Sequence, residues 1–138
     1  MVITNQTRKQ CADLAHKYDL LLIVLYGSLA KGKTHTESDT DIAVKARCRV
    51  SLEKRLFLAR EFDRIFPNTE VVDIRDASPL YLAAIAQAGV PLFERQRADF
   101  AEFVIYARNQ FIDFLPYLNK LKERNREKLY GSPEKIPS

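Results

Sequence analysis

Two hydrophobic periods alternate along the chain. Residues near 5–18 set Leu14, Ala15 and Tyr18, with Ile3 just ahead of them, against Arg8, Lys9, Gln10 and Lys17, which predicts a first helix. Leu20 to Tyr26 is uniformly apolar, too short for a surface helix and rich in aliphatic side chains. It reads as a central strand covered on both faces. Gly27-Ser28 ends it, and Leu29 to Ser38 is polar with Gly32 inside, the pattern of a turn followed by a loop. Asp41 to Ala46 alternates, Ile42 and Val44 on one face, Asp41 and Ala43 on the other, as a strand does. Ser51 reads as an N-cap with Glu53 in the first turn. The helix it opens carries Leu52, Leu56, Ala59, Phe62 and Ile65 or Phe66 at helical spacing and stops at Pro67-Asn68. Glu70 to Ile74 is a third strand. Ser78-Pro79 starts another helix, capped by serine with proline at the first position, and Gly89 ends it. Val90 to Glu94 suits a short edge strand. A long amphipathic helix follows from about Asp99 to Leu129, and 131–138 reads as a frayed tail. The fold class expected is α/β (α+β), a small mixed sheet with helices packed on it and a long C-terminal helix.

At 138 residues, one domain spanning 1–138 is expected. Hydrophobic residues make up 46% of the chain, enough for a core and against disorder. No apolar run approaches the roughly 20 residues of a membrane-spanning helix, and the first residues lack the apolar segment of a signal peptide, so a cytoplasmic protein with no membrane partner is expected. Cys11 and Cys48 form no Cys-x-x-Cys pair and read as small apolar residues; with His16 and His35 the only histidines, zinc-ligand spacing is absent. The net charge of +4 favours polyanionic ligands without selecting one.

Candidate chemistry gathers after the first strand. Asp39 and Asp41, two apart at a strand start, project together about 7 Å apart. Asp73, in the short apolar run Val71 to Ile74, joins them if its strand is the neighbour. Clustered carboxylates repel, and bound magnesium removes that cost. Two such ions about 3.5–4 Å apart can activate an attacking hydroxyl and stabilise a leaving pyrophosphate. Gly27 allows phosphate to approach the backbone, Ser28 adds a hydroxyl and an amide, and Lys31 and Lys33 are near enough in sequence to offset triphosphate charge. Each piece has a plainer meaning: Gly-Ser after a strand is common, Asp-x-Asp occurs in surface turns, and Asp73 could pair with Arg75. His35 suits a ribose or phosphate contact or an exposed loop. Glu37, Glu70 and Asp76 read as solvated or supporting residues. The combination at strand ends favours nucleotidyl transfer.

These residues resemble the minimal nucleotidyltransferases of the DNA polymerase β superfamily. The match is Gly27-Ser28, ten residues, Asp39-Thr40-Asp41, continuing Ile42-Ala43-Val44, then Val72-Asp73-Ile74 and the stretch Ser78 to Glu94. Within that superfamily the chain looks most like the antitoxins of HEPN/MNT (type VII) toxin–antitoxin systems. The resemblance implies a polymerase β palm-like fold and an enzyme that uses ATP and two magnesium ions to transfer AMP to a tyrosine of a HEPN ribonuclease toxin. It implies metal ligation by Asp39, Asp41 and Asp73, and nucleotide binding by Gly27, Ser28 and Lys31. Leu29 stands where many relatives have arginine, and the Thr34 to Glu37 loop is less basic and lacks a common proline.

Phe100, Val104, Ala107, Phe111, Phe114, Leu118 and Leu121 recur at spacings of four and three, a stripe widened by Phe103 and Leu115 that covers the chain's own sheet or docks on a partner. Pro116 should kink this helix, so the residues beyond it are expected to leave the domain body. The basic segment from Lys120 to Lys128 lacks interleaved aromatics, and direct nucleic-acid contact is not expected. An AMP-transferring antitoxin is therefore weighed against one acting by occlusion alone, and against a small-molecule nucleotidyltransferase, for which no acceptor domain remains.

Overall fold

The structure is a computed structural model that describes residues 3–27 and 40–131. Its elements are α1 (Asn5–Tyr18), β1 (Leu20–Gly27), β2 (Thr40–Ala46), α2 (Leu52–Asp63), β3 (Thr69–Asp73), a single 3-10 turn at Ile74–Asp76, α3 (Pro79–Ala88), β4 (Val90–Glu94) and α4 (Asp99–Tyr130). The strands form one sheet in the order β3-β2-β1-β4. β1 runs antiparallel to both β2 and β4, while β3 runs parallel to β2. The mixed sheet follows from the connections: two strands joined through a helix cross over and come out parallel.

Both faces of β1 are buried, as its unbroken apolar run requires. On one face Ile23, Leu25, Ile42 and Val44 pack with Cys11, Leu14 and Ala15 of α1 and Leu58 and Phe62 of α2. On the other, Leu22, Val24 and Ala43 pack with Leu82 and Ile85 of α3 and Phe103 and Ala107 of α4. Leu20 and Leu22 are two apart yet belong to opposite clusters, because the register slips between them: Leu20 pairs with Ala46 and Leu22 with Lys45. Arg95 serves the carbonyls at this bulge. Its guanidinium donates to Leu20 O at 2.9 and 3.1 Å and its amide to Leu21 O at 2.9 Å.

The caps fall where the sequence places them. Ser51 Oγ accepts from the Lys54 amide and Ser78 Oγ from the Tyr81 amide, both at 3.2 Å. Regular α2 stops at Asp63, short of the expected Phe66, although the Phe66 amide still reaches Phe62 O at 2.8 Å. Gly89 closes α3 with φ −75°, not in the left-handed region, so its need for glycine is steric: a Cβ there would lie 2.4 Å from Ile85 O and 2.6 Å from Val24 Cγ1. Helix α4 is continuous through Pro116 for 32 residues. Past Ala107 none of its described side chains is buried, which agrees with a distal half that leaves the body. Cys48, expected to pack as a small apolar residue, is exposed, whereas Cys11 is fully buried. No helix among the described residues is long and apolar enough to cross a membrane. The tail 132–138 lies outside the described residues.

Candidate nucleotidyl-transfer site

One row of side chains crosses three strands. Tyr26 of β1 pairs with Asp41 of β2, and Asp41 pairs with Glu70 of β3. Paired residues on neighbouring strands point to the same face, about 4.8 Å apart across the sheet. That face is the one covered by α3 and α4, since Ala43, two residues after Asp41, belongs to their cluster. The row ends beside Gly27, which closes β1 with φ +110°, a conformation that disfavours any residue with a Cβ.

Tyr81 of α3 reaches down onto this row. Its hydroxyl donates to Asp41 Oδ2 at 2.6 Å, and its ring stands edge-on to Tyr26 with centroids 5.8 Å apart. Burial first, then the hydrogen bond to Asp41 and the negative charges of Asp41 and Glu70, raise the Tyr81 phenol above the ordinary tyrosine range. Glu70 itself is exposed and Asp41 half-buried.

Asp73 is elsewhere. It pairs with Val44, three residues along β2 from Asp41, which places it about 10 Å away along the strand and on the opposite face. Its side chain is fully buried, and both oxygens are engaged: Oδ2 accepts from the Val50 amide at 2.7 Å and Oδ1 from the Arg75 amide at 2.9 Å. The Arg75 guanidinium donates to Ala46 O and Arg47 O, so this pair of residues stitches the end of β3 to the chain leaving β2. The expected grouping of Asp73 with Asp41 is therefore not what the fold makes. The parallel crossover brings the start of β3, not its end, to the start of β2, and the carboxylate there is Glu70. That signal was available in the helix between the two strands. The Tyr81 hydroxyl carried no comparable sequence mark.

Ser28, Lys31 and Asp39, with Lys33, His35 and Glu37 between them, lie outside the described residues. Among the described residues no cluster of three acidic, histidine or cysteine side chains stands ready for a metal. Asp41 and Glu70 are two hard oxygen donors side by side on neighbouring strand starts, a pair that suits magnesium, which is held by one or two carboxylates with waters and substrate phosphates completing its shell.

Comparison with known proteins agrees with this architecture. The family model described as polymerase beta, nucleotidyltransferase, matches residues 9–98. Over 81 residues the chain is 33% identical to the protein adenylyltransferase MntA of Shewanella oneidensis, an alignment covering 58% of each, so the chain spans 58% of that curated relative's length. Among solved structures, a toxin–antitoxin structure with AMP-PNP superposes with a TM-score of 0.69 at 24% identity, over 88% of this chain and 97% of that one. The complex of tri-AMPylated Shewanella oneidensis HEPN toxin with MNT antitoxin gives a TM-score of 0.65 at 21% identity, over 90% and 96%. At these identities the structural likeness carries the fold.

Proposed function

The chain belongs to the polymerase β nucleotidyltransferase family, and from that premise we propose that it is an antitoxin that transfers AMP from ATP to a tyrosine of a cognate HEPN ribonuclease toxin. The observation that carries the reading is the Tyr26–Asp41–Glu70 row beside Gly27, where two carboxylates stand together at the end of β1, which closes on a glycine with φ +110°. The curated relative's name, protein adenylyltransferase, supports AMP transfer to protein, and the HEPN toxin complex among the structural neighbours supports the partner.

In this reading Asp39 and Asp41 hold two magnesium ions and Glu70 takes the third acidic position, while Asp73 supports the fold. Magnesium, when bound, lowers the pKa of the acceptor hydroxyl and stabilises the pyrophosphate charge. Gly27 gives the phosphates room against the backbone, and Ser28 and Lys31 contact them. Asp41 orients the acceptor oxygen and receives its proton, as it receives the hydrogen bond of a phenol in this structure.

The test mixes the protein with its HEPN partner, ATP and magnesium and weighs the partner by intact-mass spectrometry. Transfer predicts an AMP increment that Asp39→Ala and Asp41→Ala abolish. If those variants silence the toxin as well as the wild type does, neutralisation is by occlusion and the proposal falls.

A further inference from the structure

Resting on that reading, we propose that Tyr81 is itself an acceptor, and that the chain adenylylates its own phenol there when no partner tyrosine occupies the site. The chemistry offered is the same as that proposed for the partner: a tyrosine hydroxyl held against a carboxylate of the transfer site. Tyr81 Oη lies 2.6 Å from Asp41 Oδ2, hydrogen-bond distance for the residue that would take the acceptor proton.

The placement is built, not incidental. Ser78 caps α3 and Pro79 follows it at the first helical positions. The Tyr81 amide donates back to Ser78 Oγ at 3.2 Å, which fixes the turn that carries the ring. The ring is then braced edge-on by Tyr26, the residue paired with Asp41 across the sheet, at an interplanar angle of 77°. Leu82 and Ile85 anchor α3 in the core below. Tyr81 is half-buried at the edge of the core rather than enclosed within it, and its bond to Asp41 is only partly buried. Tyr106, Tyr117 and Tyr130, by contrast, are exposed on α4.

The step balances without any further reactant than ATP. Tyr81 Oη attacks the α-phosphorus and forms an O–P bond. The bond from that phosphorus to the bridging oxygen of pyrophosphate breaks, and pyrophosphate leaves with the electron pair. The phenol proton passes to Asp41 Oδ2 and from there to solvent. The products are an adenylylated tyrosine and pyrophosphate, with no change of oxidation state.

The test incubates the purified full chain with ATP and magnesium, without partner, and follows intact mass and fragmentation. One AMP per chain, located on Tyr81, is expected. Tyr81→Phe should lose the increment and Tyr106→Phe should keep it. Because the hydroxyl sits on its own chain's Asp41, an Asp41→Ala chain mixed with wild type should stay unmodified. An unmodified wild-type chain, from a preparation that does label the HEPN toxin, overturns this inference and leaves the proposed function standing. A label on Tyr26 or any other residue overturns it too, and labelling of neither protein overturns both. Site assignment by fragmentation of wild-type protein keeps the test valid even where Tyr81→Phe folds poorly.

Discussion

Asp73→Asn separates a structural carboxylate from a metal ligand. Each oxygen of Asp73 accepts one backbone N–H, from Val50 and from Arg75, and the Val50 end is buried with 3% of its surface exposed. A hydrogen bond to a charged acceptor contributes about 1.5–3 kcal/mol, and an orphaned buried donor costs about 1–3 kcal/mol. Asparagine keeps one accepting oxygen and turns an N–H₂ toward the other donor. It therefore forfeits one of the two bonds outright and weakens the other by removing the charge. Together these make a loss of about 2.5–6 kcal/mol, a large share of the 5–15 kcal/mol typical of a domain. In urea, with a slope of about 2 kcal/mol/M, the unfolding midpoint should fall by about 1–3 M with the slope unchanged. Manganese affinity of the folded protein, measured by titration well below the midpoint, should stay within about twofold, since Asp73 lies on the opposite face from Asp41. A variant that unfolds at the wild-type midpoint but loses about tenfold or more in manganese affinity would refute the assignment of faces.

Glu70→Gln should behave in the opposite sense: its exposed side chain makes the urea midpoint insensitive, while manganese binding weakens by about tenfold, roughly 1.4 kcal/mol; unchanged binding would remove Glu70 from the site. Gly89→Ala should lower stability by about 1–3 kcal/mol, because the added Cβ collides with Ile85 O and Val24 Cγ1 in a tightly packed corner; an unchanged melting curve would contradict that contact. Burial pushes the Cys11 thiol up to about 11 from 9.0, so the exposed Cys48 should alkylate in the native protein and Cys11 only on unfolding. The same shift makes the folded state hold a proton that the unfolded state releases, so its contribution to stability is complete below pH 9 and is lost as pH rises from 9 towards 11. Comparing wild type with Cys11→Ala over that range isolates it.

Most of the fold was legible because the signals are local. The β1 run, the alternation of β2, the serine caps and the α4 stripe each mark their own element, and the strand faces of Ile42 and Val44 against Asp41 and Ala43 follow from the period of two. What local signals could not supply is how one strand registers against another. Asp73 sits inside the apolar run Val71 to Ile74 and Glu70 just ahead of it, so pattern alone favoured Asp73. Register decides otherwise, since Asp41 pairs with Glu70. The bulge at Leu20 and Leu22 is likewise a property of two strands and Arg95 together. Tyr81 reaches Asp41 across 40 residues of sequence, a contact only the packing of α3 on the sheet creates.

Nucleotidyl transfer to a partner protein is tested most directly by where the transferred phosphorus comes from. The protein is incubated with the HEPN toxin proposed as its partner, magnesium and ATP radiolabelled at either the α- or the γ-phosphate. Label from the α position should enter the toxin, and label from the γ position should appear only as pyrophosphate, with both signals absent in Asp41→Ala. Label entering the toxin from the γ position, or none entering at all while the toxin is silenced, would contradict the account.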